Sequence, residues 1–339
     1  MRAAVMQDFG QPLAWSDLPT PEPQADEVLI RVHACGVCHS DLHIVDGDTP
    51  GFKGITKPQL IPGHEVVGTV VARGTEVREL EVGQRVGVAW LHHACGHCEL
   101  CLGGHENLCR KGVVTGLQVD GGYAEFMRAK ASHAVPVPDA LTDVEAAPLF
   151  CAGVTSYRAL HQAGVAAGQR VAVVGVGGLG HLAIQIARAA GAEVLALDVD
   201  QAKLDAARAL GAAHAFDARD PDAPKAVRGV GGAHVAVVTS AARAAYEVAL
   251  KCLRPTGTLS VVGLPPEPLQ FKALALVGGE YRVQGSSVGT RADLRATLAL
   301  AASGRLRCHC HARPLAEANA ALDELRAGHV QGRTVLVAG

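Results

Sequence analysis

The chain has 339 residues, more than the ~250–300 at which single hydrophobic cores stop growing, so we expect two domains. It is 49% hydrophobic and 19% charged, with 39 glycines and 4% aromatic residues, a composition typical of a globular α/β protein. A net charge of -2 argues against nucleic acid or an anionic membrane surface as a partner, and no apolar run approaches the ~20 residues of a membrane span.

The residues after Met1 do not form a secretory signal, so we expect a cytoplasmic protein. The ten cysteines would mostly stay reduced in the cytosol. Clustered cysteines are therefore expected to bind metal rather than to form disulfides.

The first part of the chain is predicted to be rich in short strands. Apolar, β-branched runs bounded by Gly, Pro and Asp occur at residues 28–32, 68–71, 85–88 and 121–126. No long segment of helical period interrupts them, which favours an irregular, barrel-like all-β unit. The proline-rich span 136–148 is predicted to be its exit.

From about residue 153 the pattern changes to alternating strands and helices. Strands are predicted at 169–174, 193–197, 213–216, 234–238, 258–262 and 281–284, and helices at 179–190, 201–210 and 241–253. This alternation predicts a doubly wound parallel sheet with helices on both faces. A helix at 291–302 would lead back to the first domain, where 333–337 would add a closing strand.

Three residues far apart in the sequence, Cys38, His64 and Cys151, form a candidate metal site. Two thiolates and one imidazole with an open fourth position are the ligand set of a catalytic zinc. Their charges and that of Zn²⁺ sum to zero, which leaves the metal electrophilic. Beside the first ligand, Ser40 and His43 supply a hydroxyl and a base that could carry a proton to water.

A second candidate metal site lies within fifteen positions, at Cys95, Cys98, Cys101 and Cys109. Four thiolates around Zn²⁺ give a charge of -2, so this zinc should be closed off and structural. Disulfides, buried thiols and an iron–sulfur cluster are the alternatives. A nucleic-acid-binding zinc ribbon is disfavoured, since Arg110 and Lys111 are the only cations in the segment.

A glycine motif follows the predicted strand at 169–174 and opens a helix, as in dinucleotide-binding sites: Gly175, Gly177, Gly178, Leu179 and Gly180. The first glycine permits a tight turn, the second lets a pyrophosphate approach, and Gly180 allows close helix–strand packing. Asp198, at the end of the next strand, would accept both adenosine ribose hydroxyls. A 2′-phosphate there would meet like charge, so NAD is favoured over NADP.

Several other cysteines and histidines have ordinary structural interpretations. Cys35 and Cys252 are expected to be buried, inert thiols. In Cys308-His309-Cys310-His311, strand alternation would send Cys and His to opposite faces, so we expect a strand with incidental metal affinity. Four histidines near the second site are expected to be surface residues: His92, His93, His97 and His105.

The motifs occur in an order that resembles the zinc-dependent alcohol dehydrogenases of the medium-chain dehydrogenase/reductase superfamily, especially the bacterial, tetrameric, NAD-linked type. The matching segments are Cys38-His39-Ser40-Asp41-Leu42-His43, Pro62-Gly63-His64-Glu65, the four cysteines, Cys151-Ala152-Gly153-Val154-Thr155, the glycine motif and Val262-Gly263-Leu264-Pro265-Pro266. The resemblance implies a GroES-like catalytic domain at 1–152 and 292–339, with a zinc lobe at 91–111. A Rossmann NAD-binding domain at 153–291 would interrupt it, with the active site in the cleft.

The resemblance assigns roles to residues around the first site. Cys38, His64 and Cys151 would hold the catalytic zinc, and Glu65 would ligate it transiently. Asp41 would orient the zinc-bound imidazole. Ser40 would hydrogen-bond the alcohol and pass its proton through the nicotinamide ribose to His43. The family exchanges a hydride between alcohol and NAD, so we expect two zinc ions and one NAD per chain, in a homotetramer.

The resemblance also assigns cofactor contacts outside the glycine motif. Thr155 and Val288 would flank the nicotinamide, Lys203 would face the adenosine ribose and Arg333 the pyrophosphate. The remaining expected contacts are His39, Val262, Gly263, Leu264 and Ser287.

Two departures from the family pattern bear on cofactor and substrate. Many relatives carry Arg in place of His39, and a histidine with a pKa near ~6.5 is largely neutral at pH 7, so we expect weaker cofactor binding and faster NADH release. Thr49 stands where small-alcohol relatives often have Trp, whereas Trp90 keeps an aromatic wall. This exchange predicts room for medium-chain or aromatic primary alcohols as well as ethanol.

The alternative on the same scaffold is a polyol or amino-alcohol dehydrogenase. It would need polar pocket residues that the sequence does not identify, and a panel of substrates would separate the two. Two further functions are disfavoured. A non-catalytic zinc-binding redox sensor has no need of the Ser40–His43 relay. Zinc-free quinone reductases lack the ligand cysteines and His64 found here.

Overall fold

Short strands and helices make up the computed structural model, which describes residues 1–339. The strands are β1 (Arg2–Val5), β2 (Ala14–Asp17), β3 (Glu27–Gly36), β4 (Glu65–Arg73), β5 (Arg85–Val88), β6 (Leu91–His93), β7 (Val113–Val114), β8 (Phe126–Lys130), β9 (Val135–Pro136), β10 (Arg170–Val174), β11 (Glu193–Asp198), β12 (His214–Asp217), β13 (Ala233–Val238), β14 (Leu253–Val261), β15 (Arg282–Gly285), β16 (Cys310–Pro314) and β17 (Arg333–Val337). The helices are α1 (His39–Asp46), α2 (Pro50–Lys53), α3 (Glu99–Leu102), α4 (Asp143–Ala146), α5 (Ala152–Gln162), α6 (Gly180–Ala189), α7 (Gln201–Ala209), α8 (Ala223–Gly229), α9 (Arg243–Cys252), α10 (Ala273–Gly279), α11 (Arg291–Ala302) and α12 (Ala318–Arg326).

The chain divides into two units. The first unit comprises Met1–Cys151, Thr290–Ala302 and Cys308–Gly339. The second comprises Ala152–Gly289 and Ser303–Arg307.

A seven-stranded sheet forms the centre of the first unit, in the order β16-β17-β3-β4-β5-β9, with β8 also paired to β3. Strands β3 and β4 run antiparallel, and their buried valines and isoleucines supply much of the core. Two register shifts interrupt this ladder, between Leu29 and Ile30 and between Val32 and Ala34. Such bulges increase local twist and help to curve a sheet.

The pairing of β3 with β4 brings two distant chain segments together. Gly36, at the end of β3, lies opposite Glu65, at the start of β4. A Cβ atom on Gly36 would lie 1.8 Å from Oε2 of Glu65, so only glycine leaves room for that carboxylate. Cys38 follows β3 and His64 precedes β4, so the sheet itself juxtaposes two predicted metal ligands.

A six-stranded parallel sheet forms the second unit, in the order β12-β11-β10-β13-β14-β15. This is the doubly wound order of dinucleotide-binding folds, with the reversal between β10 and β13. Strand β10 is an unbroken apolar run from Val171 to Val174, as expected for a strand buried on both faces. The carboxyl ends of β10 and β13 mark the crevice where such sheets bind ligands.

The predicted fold class, a barrel-like β-rich domain interrupted by a doubly wound parallel-sheet domain, is confirmed. One predicted strand is wrong: residues 121–125 are irregular, apart from a bridge at Ala124, and β8 begins only at Phe126. A Cβ on Gly121 would lie 2.0 Å from the carbonyl oxygen of Gly63, so this segment packs closely against the residues just before β4. Only α6, α7, α9 and α11 among the helices were predicted, and β14 begins at Leu253 rather than 258.

None of the helices combines the length and the apolar character needed to cross a bilayer.

Candidate active site

Asp41 organises the predicted metal ligands from a fully buried position in α1. Its Oδ1 accepts hydrogen bonds from the backbone N–H of Gly63 at 3.1 Å and from Nδ1 of His64 at 2.9 Å. Its Oδ2 accepts from the backbone N–H of Cys38 at 3.0 Å and from the hydroxyl of Tyr123 at 3.3 Å. One carboxylate thus fixes Cys38 and His64 relative to each other.

Cys151 reaches the same place from a different part of the first unit. It follows a 3-10 turn, Ala147–Phe150, which packs against Gly87 of β5. A Cβ atom on Gly87 would lie 2.0 Å from the Phe150 ring, so the close contact requires glycine. The Sγ atoms of Cys38 and Cys151 are 3.9 Å apart. Ligand atoms of Cys38, His64, Glu65 and Cys151 all lie within 4.8 Å of one another.

The two thiols of this three-ligand site (Cys38, His64 and Cys151) are within hydrogen-bonding distance of each other. A hydrogen bond from Cys151 lowers the pKa of Cys38 well below its ordinary value, and the same bond raises the pKa of Cys151. Burial alone would lower the pKa of His64, but the adjacent Asp41 carboxylate raises it well above the ordinary value. The pocket therefore already stabilises one thiolate, which is the form that binds metal.

The geometry of the three-ligand site fits a zinc ion. Nδ1 of His64 is hydrogen-bonded to Asp41, whereas its buried Nε2 has no hydrogen-bond partner. Buried polar atoms are normally satisfied, and coordination to a metal would satisfy this one. A thiolate–imidazole–thiolate set is a known zinc ligand set.

Behind these ligands, Nη2 of Arg333 donates a hydrogen bond to Oε1 of Glu65, and the two residues have exposed fractions of 3% and 0%. Oε2 of Glu65 has no hydrogen-bond partner. Burial raises the pKa of Glu65 to about 8, against the opposing charge of Arg333. Arg333, which the resemblance assigns to the pyrophosphate, here pairs with Glu65 within the first unit, and no local sequence pattern predicts this contact.

Aromatic rings line one side of the three-ligand site. Trp90 contacts His64 edge-on, with ring centroids 4.8 Å apart. Phe52, in α2, lies 5.7 Å from Trp90 and was not singled out from the sequence. Its signal was weak, a lone aromatic residue in a glycine- and proline-containing loop.

The remaining predicted residues near this site lie on α1 and α2. His39 is the first residue of α1, and Ser40 and His43 follow on the same helix. Desolvation, with a smaller contribution from Arg333, lowers the pKa of His39, so its ring is neutral at pH 7. Thr49 immediately precedes α2.

The four-cysteine lobe, residues 91–111, brings its thiols together locally. The Sγ–Sγ distances are 3.9 Å for Cys95–Cys101, 3.5 Å for Cys98–Cys101 and 3.9 Å for Cys98–Cys109. Tetrahedral zinc with Zn–S bonds of ~2.3 Å requires S–S separations of about 3.8 Å. The lobe therefore fits a four-thiolate zinc ion.

An ion pair connects the four-cysteine lobe to the rest of the first unit. The carboxylate of Glu106 accepts hydrogen bonds from the backbone N–H, Nε and Nη2 of Arg291. Nη1 of Arg291 donates to the carbonyl of Ser132. His92 is buried and His93 half-buried, so the prediction of surface histidines is wrong for these two. Burial lowers the pKa of His92 to about 4 and that of His133 to about 3.

The glycine motif forms a tight turn after β10 in the second unit. Gly175 has φ +95°, a conformation that favours glycine, and a Cβ on Gly180 would lie 1.8 Å from the carbonyl oxygen of Gly175. A Cβ on Gly177 would meet nothing within 4 Å, so its backbone faces open space. The turn offers the open backbone surface that a pyrophosphate requires.

The side chain of Asp198 is hydrogen-bonded to this turn. Its carboxylate accepts backbone N–H bonds from Val176 at 2.6 Å, from Val199 at 2.8 Å and from Asp200 at 3.0 Å. A carboxylate offers about four acceptor positions, so one remains for a ribose hydroxyl, fewer than the two hydroxyls expected from the sequence. The residues thus fit a dinucleotide.

Other predicted cofactor residues also lie in the second unit. Thr155 is buried on α5, Lys203 half-buried on α7, and Val262, Gly263 and Leu264 follow β14, whereas Ser287 and Val288 follow β15. Val288 has φ 39°, a rare conformation for a β-branched residue. Thr239 and Ser240 were missed, although they follow β13 directly; they contact Gly175, Gly180 and Gly263. Their position at the carboxyl end of a strand was the available signal.

The remaining cysteines take no part in a cluster of three or more potential ligands. Cys35 and Cys252 are fully buried, and burial raises the pKa of each. In the tract 308–311, Cys308 and Cys310 are buried or half-buried, whereas His309 and His311 are exposed. The alternation expected from the sequence is present.

Two family models match the chain: the alcohol dehydrogenase GroES-like domain over residues 24–139 and the zinc-binding dehydrogenase over residues 178–303. An alcohol dehydrogenase of Geobacillus stearothermophilus is 44% identical over 339 residues, covering 99% of each chain. The structure of the alcohol dehydrogenase from Aeropyrum pernix aligns with a TM-score of 0.91 and 35% identity, covering 99% of this chain and 100% of that one. Acetophenone reductase from Geotrichum candidum in complex with NAD aligns with a TM-score of 0.88 and 30% identity, covering 99% of this chain and 96% of that one.

These similarities run over the full chain, and they agree with the paired cysteine clusters and the glycine turn described above. The protein is a zinc-type, NAD-dependent oxidoreductase that interconverts alcohols with aldehydes or ketones, and it belongs to the medium-chain alcohol dehydrogenases.

Proposed function

We propose that Cys38, His64 and Cys151 hold a catalytic zinc ion, with Glu65 as a transient ligand. Cys95, Cys98, Cys101 and Cys109 would hold a second, structural zinc ion. The observation that carries the first assignment is the unpartnered Nε2 of buried His64, within 4.8 Å of both thiols. The S–S distances of the four-cysteine lobe support the second.

Each side chain around the three-ligand site has a specific task in this proposal. Zinc, when bound, supplies a Lewis acid that polarises the alcohol or carbonyl oxygen, and NAD supplies the hydride acceptor. Asp41 keeps Nδ1 of His64 protonated and its Nε2 free to ligate. Ser40 holds the alcohol hydroxyl and passes its proton towards His43, which releases it to water.

The cofactor in this proposal is NAD rather than NADP. Asp198 carries a negative charge where a 2′-phosphate would have to lie, and its remaining acceptor position suits a hydroxyl donor. Gly175, Gly177, Gly178, Leu179 and Gly180 would bind the pyrophosphate, and the other predicted contacts are Thr155, Lys203, Val262, Gly263, Leu264, Ser287, Val288, His39 and Arg333. A neutral His39 would weaken phosphate binding relative to Arg.

The preferred substrates are proposed to be medium-chain and aromatic primary alcohols as well as short ones. Trp90 and Phe52 supply aromatic walls beside His64, while Thr49 is smaller than the Trp found in many relatives. The name of the related acetophenone reductase indicates an aromatic substrate for that protein.

The chain is further proposed to be a cytoplasmic homotetramer, with a catalytic domain at 1–152 and 292–339 and an NAD-binding domain at 153–291. Strand β15 lies at the edge of its sheet, and Leu274 and Val277 of α10 are 85% and 74% exposed. An exposed apolar helix beside an open sheet edge favours pairing with a second copy. Light scattering of the native protein tests the tetramer, and a monomeric mass would exclude it.

The central test combines metal analysis with initial rates for ethanol, hexanol, benzyl alcohol and a polyol, using NAD⁺ and NADP⁺. We expect two zinc ions per chain, a preference for NAD⁺, and efficient turnover of hexanol and benzyl alcohol. Thr49→Trp should lower the benzyl alcohol to ethanol ratio about tenfold, since a large side chain would fill the pocket. An unchanged ratio contradicts the proposed role of Thr49, and turnover confined to the polyol contradicts the substrate class.

A further inference from the structure

His43 has an acidic partner that its proposed role in proton transfer does not by itself require. Nδ1 of His43 lies 2.9 Å from Oδ1 and 2.9 Å from Oδ2 of Asp48. Both side chains are partly open to solvent, with exposed fractions of 37% and 51%. A contact between two partly exposed side chains contributes little to stability, so it is better explained by what it does to the imidazole.

The chain makes a specific turn to form this contact. His43 lies in the last turn of α1, and Gly47 ends the helix in the left-handed conformation, with φ 65°. The N–H of Gly47 donates to the carbonyl of His43 at 3.0 Å, which carries Asp48 back against the last helical turn. A Cβ on Gly47 would lie 2.7 Å from the Phe9 ring, so this reversal requires glycine.

Thr49 fixes Asp48 in turn. Its hydroxyl donates to Oδ1 of Asp48 at 3.1 Å. Thr49 occupies the N-cap position of α2, where a threonine side chain usually bonds to the helix, yet it makes no capping bond there. The hydroxyl is directed to Asp48 instead.

The geometry points to Asp48, held by Thr49, as a positioning residue that sets the tautomer of His43. A neutral imidazole carries one N–H donor and one acceptor nitrogen, and an ionised carboxylate can only accept. Nδ1 is therefore the protonated nitrogen, and Nε2 is the acceptor that receives the substrate-derived proton. That proton then leaves the ring for water, and Nδ1–H stays bonded to Asp48 throughout. The inference rests on the proposed relay from Ser40 to His43.

A matched control lies two residues away on the same turn. Asp46 also carries a carboxylate, but Arg326 binds it at 2.7 Å, and it makes no hydrogen bond to His43. Asp46→Asn therefore removes the same charge from the same turn without touching the imidazole.

The experiment measures the pre-steady-state rate of NADH formation with excess alcohol and NAD⁺, because product release can mask the chemical step. We expect Asp48→Ala to lower this rate about tenfold with little change in KM, since only part of the 10²–10⁴-fold contribution of a general base is lost. Added imidazole should restore the rate, and the solvent isotope effect should rise. Asp48→Glu should recover part of the loss, and Asp46→Asn should match the wild type.

A parallel series with His43→Gln separates this inference from the proposed function. The double variant His43→Gln/Asp48→Ala should be no slower than His43→Gln alone, because Asp48 acts through His43. If His43→Gln is slow and imidazole-rescued while Asp48→Ala is not slow, the role of Asp48 is overturned and the relay stands. If His43→Gln retains the wild-type rate, the relay itself is wrong, and Asp48 loses its proposed role with it.

Discussion

The ligands of the three-ligand site come from positions 38, 64 and 151, whereas the four-cysteine lobe takes all its ligands from residues 95–109. Distant ligands can meet only when β3, β4 and the turn before Cys151 are all in place. Local ligands need little more than their own segment and a metal ion. The first site thus depends on the whole first unit, and the second depends chiefly on its metal.

The two sites also differ in burial and in charge. Cys38, His64 and Cys151 are at most 7% exposed, and two thiolates would leave a bound zinc ion electrophilic. The four cysteines are only partly buried, and four thiolates would make a bound zinc ion a poor Lewis acid. Under the proposed assignment, the same metal would serve chemistry at the first site and folding at the second, because the number of thiolates differs. Removal of each ion should therefore affect different measurements.

The largest expected effect is on turnover, in His64→Gln. The amide can still bond to Asp41, so the fold should persist, but the metal loses a ligand. We expect kcat to fall on the order of 10³-fold, since a catalytic metal is worth several kcal/mol. Metal content should drop from two ions to one, and the exposed His105→Gln should retain both ions. Full activity with one ion would show that the three-ligand site is not catalytic.

The next effect is on stability, in Cys101→Ser of the four-cysteine lobe. Loss of a structural metal belongs to the most damaging class of substitutions, so we expect about 4 kcal/mol less unfolding free energy. Thermal and urea unfolding would measure this, with kcat at low temperature kept near wild type. A variant that is as stable as wild type but inactive would reverse the assignment of the two sites.

A smaller effect follows from the buried histidines beside the lobe. Their folded pKa values, about 3 for His133 and about 4 for His92, lie below the ~6.5 of an unfolded histidine. The unfolded state thus binds more protons below pH 6.5, so stability falls as the pH drops, by about 2 kcal/mol per histidine between pH 6.5 and 5. In His133→Gln the amide oxygen can still accept a hydrogen bond from the N–H of Ala94. Urea unfolding of this variant should show a loss of stability between pH 6.5 and 5 that is smaller by about 2 kcal/mol than in the wild type. The same pH dependence in both proteins would contradict the buried, neutral state of His133.

The smallest effect is expected from Glu106→Gln. The amide keeps part of the contact with Arg291, so the loss should be about 1 kcal/mol of stability. Faster hydrogen exchange confined to residues 91–111 would show that this ion pair anchors the lobe. Asp205→Asn, which removes an exposed ion pair with Arg208 in the second unit, is the control. A change in kcat would indicate that the lobe also serves the chemistry.

Local patterns predicted much of this fold, because they follow from rules that act over a few residues. The predicted bounds of α11 and β17 agree with the structure, and the strand–helix alternation predicted the parallel sheet. The failure at 121–125 had a non-local cause, the close approach of Gly121 to Gly63, which no local pattern records.

Some residues of the candidate site could likewise be predicted from the sequence, and others could not. Ligand types and spacing predicted Cys38, His64, Cys151 and the four-cysteine cluster, because metal chemistry restricts those residues strongly. The pairing of Glu65 with Arg333 and the burial of His92 depend on strands that meet only in the folded chain. Asp48 lies five residues from His43, but its contact needs the reversal at Gly47, which sequence spacing alone does not specify.

Strand β17 lies between β16 and β3, and it brings Arg333 against Glu65. A ribosome delivers residues 152–289 before this strand, at ~5–20 residues per second. All three predicted metal ligands are therefore made well before Arg333, which pairs with Glu65 beside them. The complete surroundings of the three-ligand site can form only after translation has passed through the nucleotide-binding sheet.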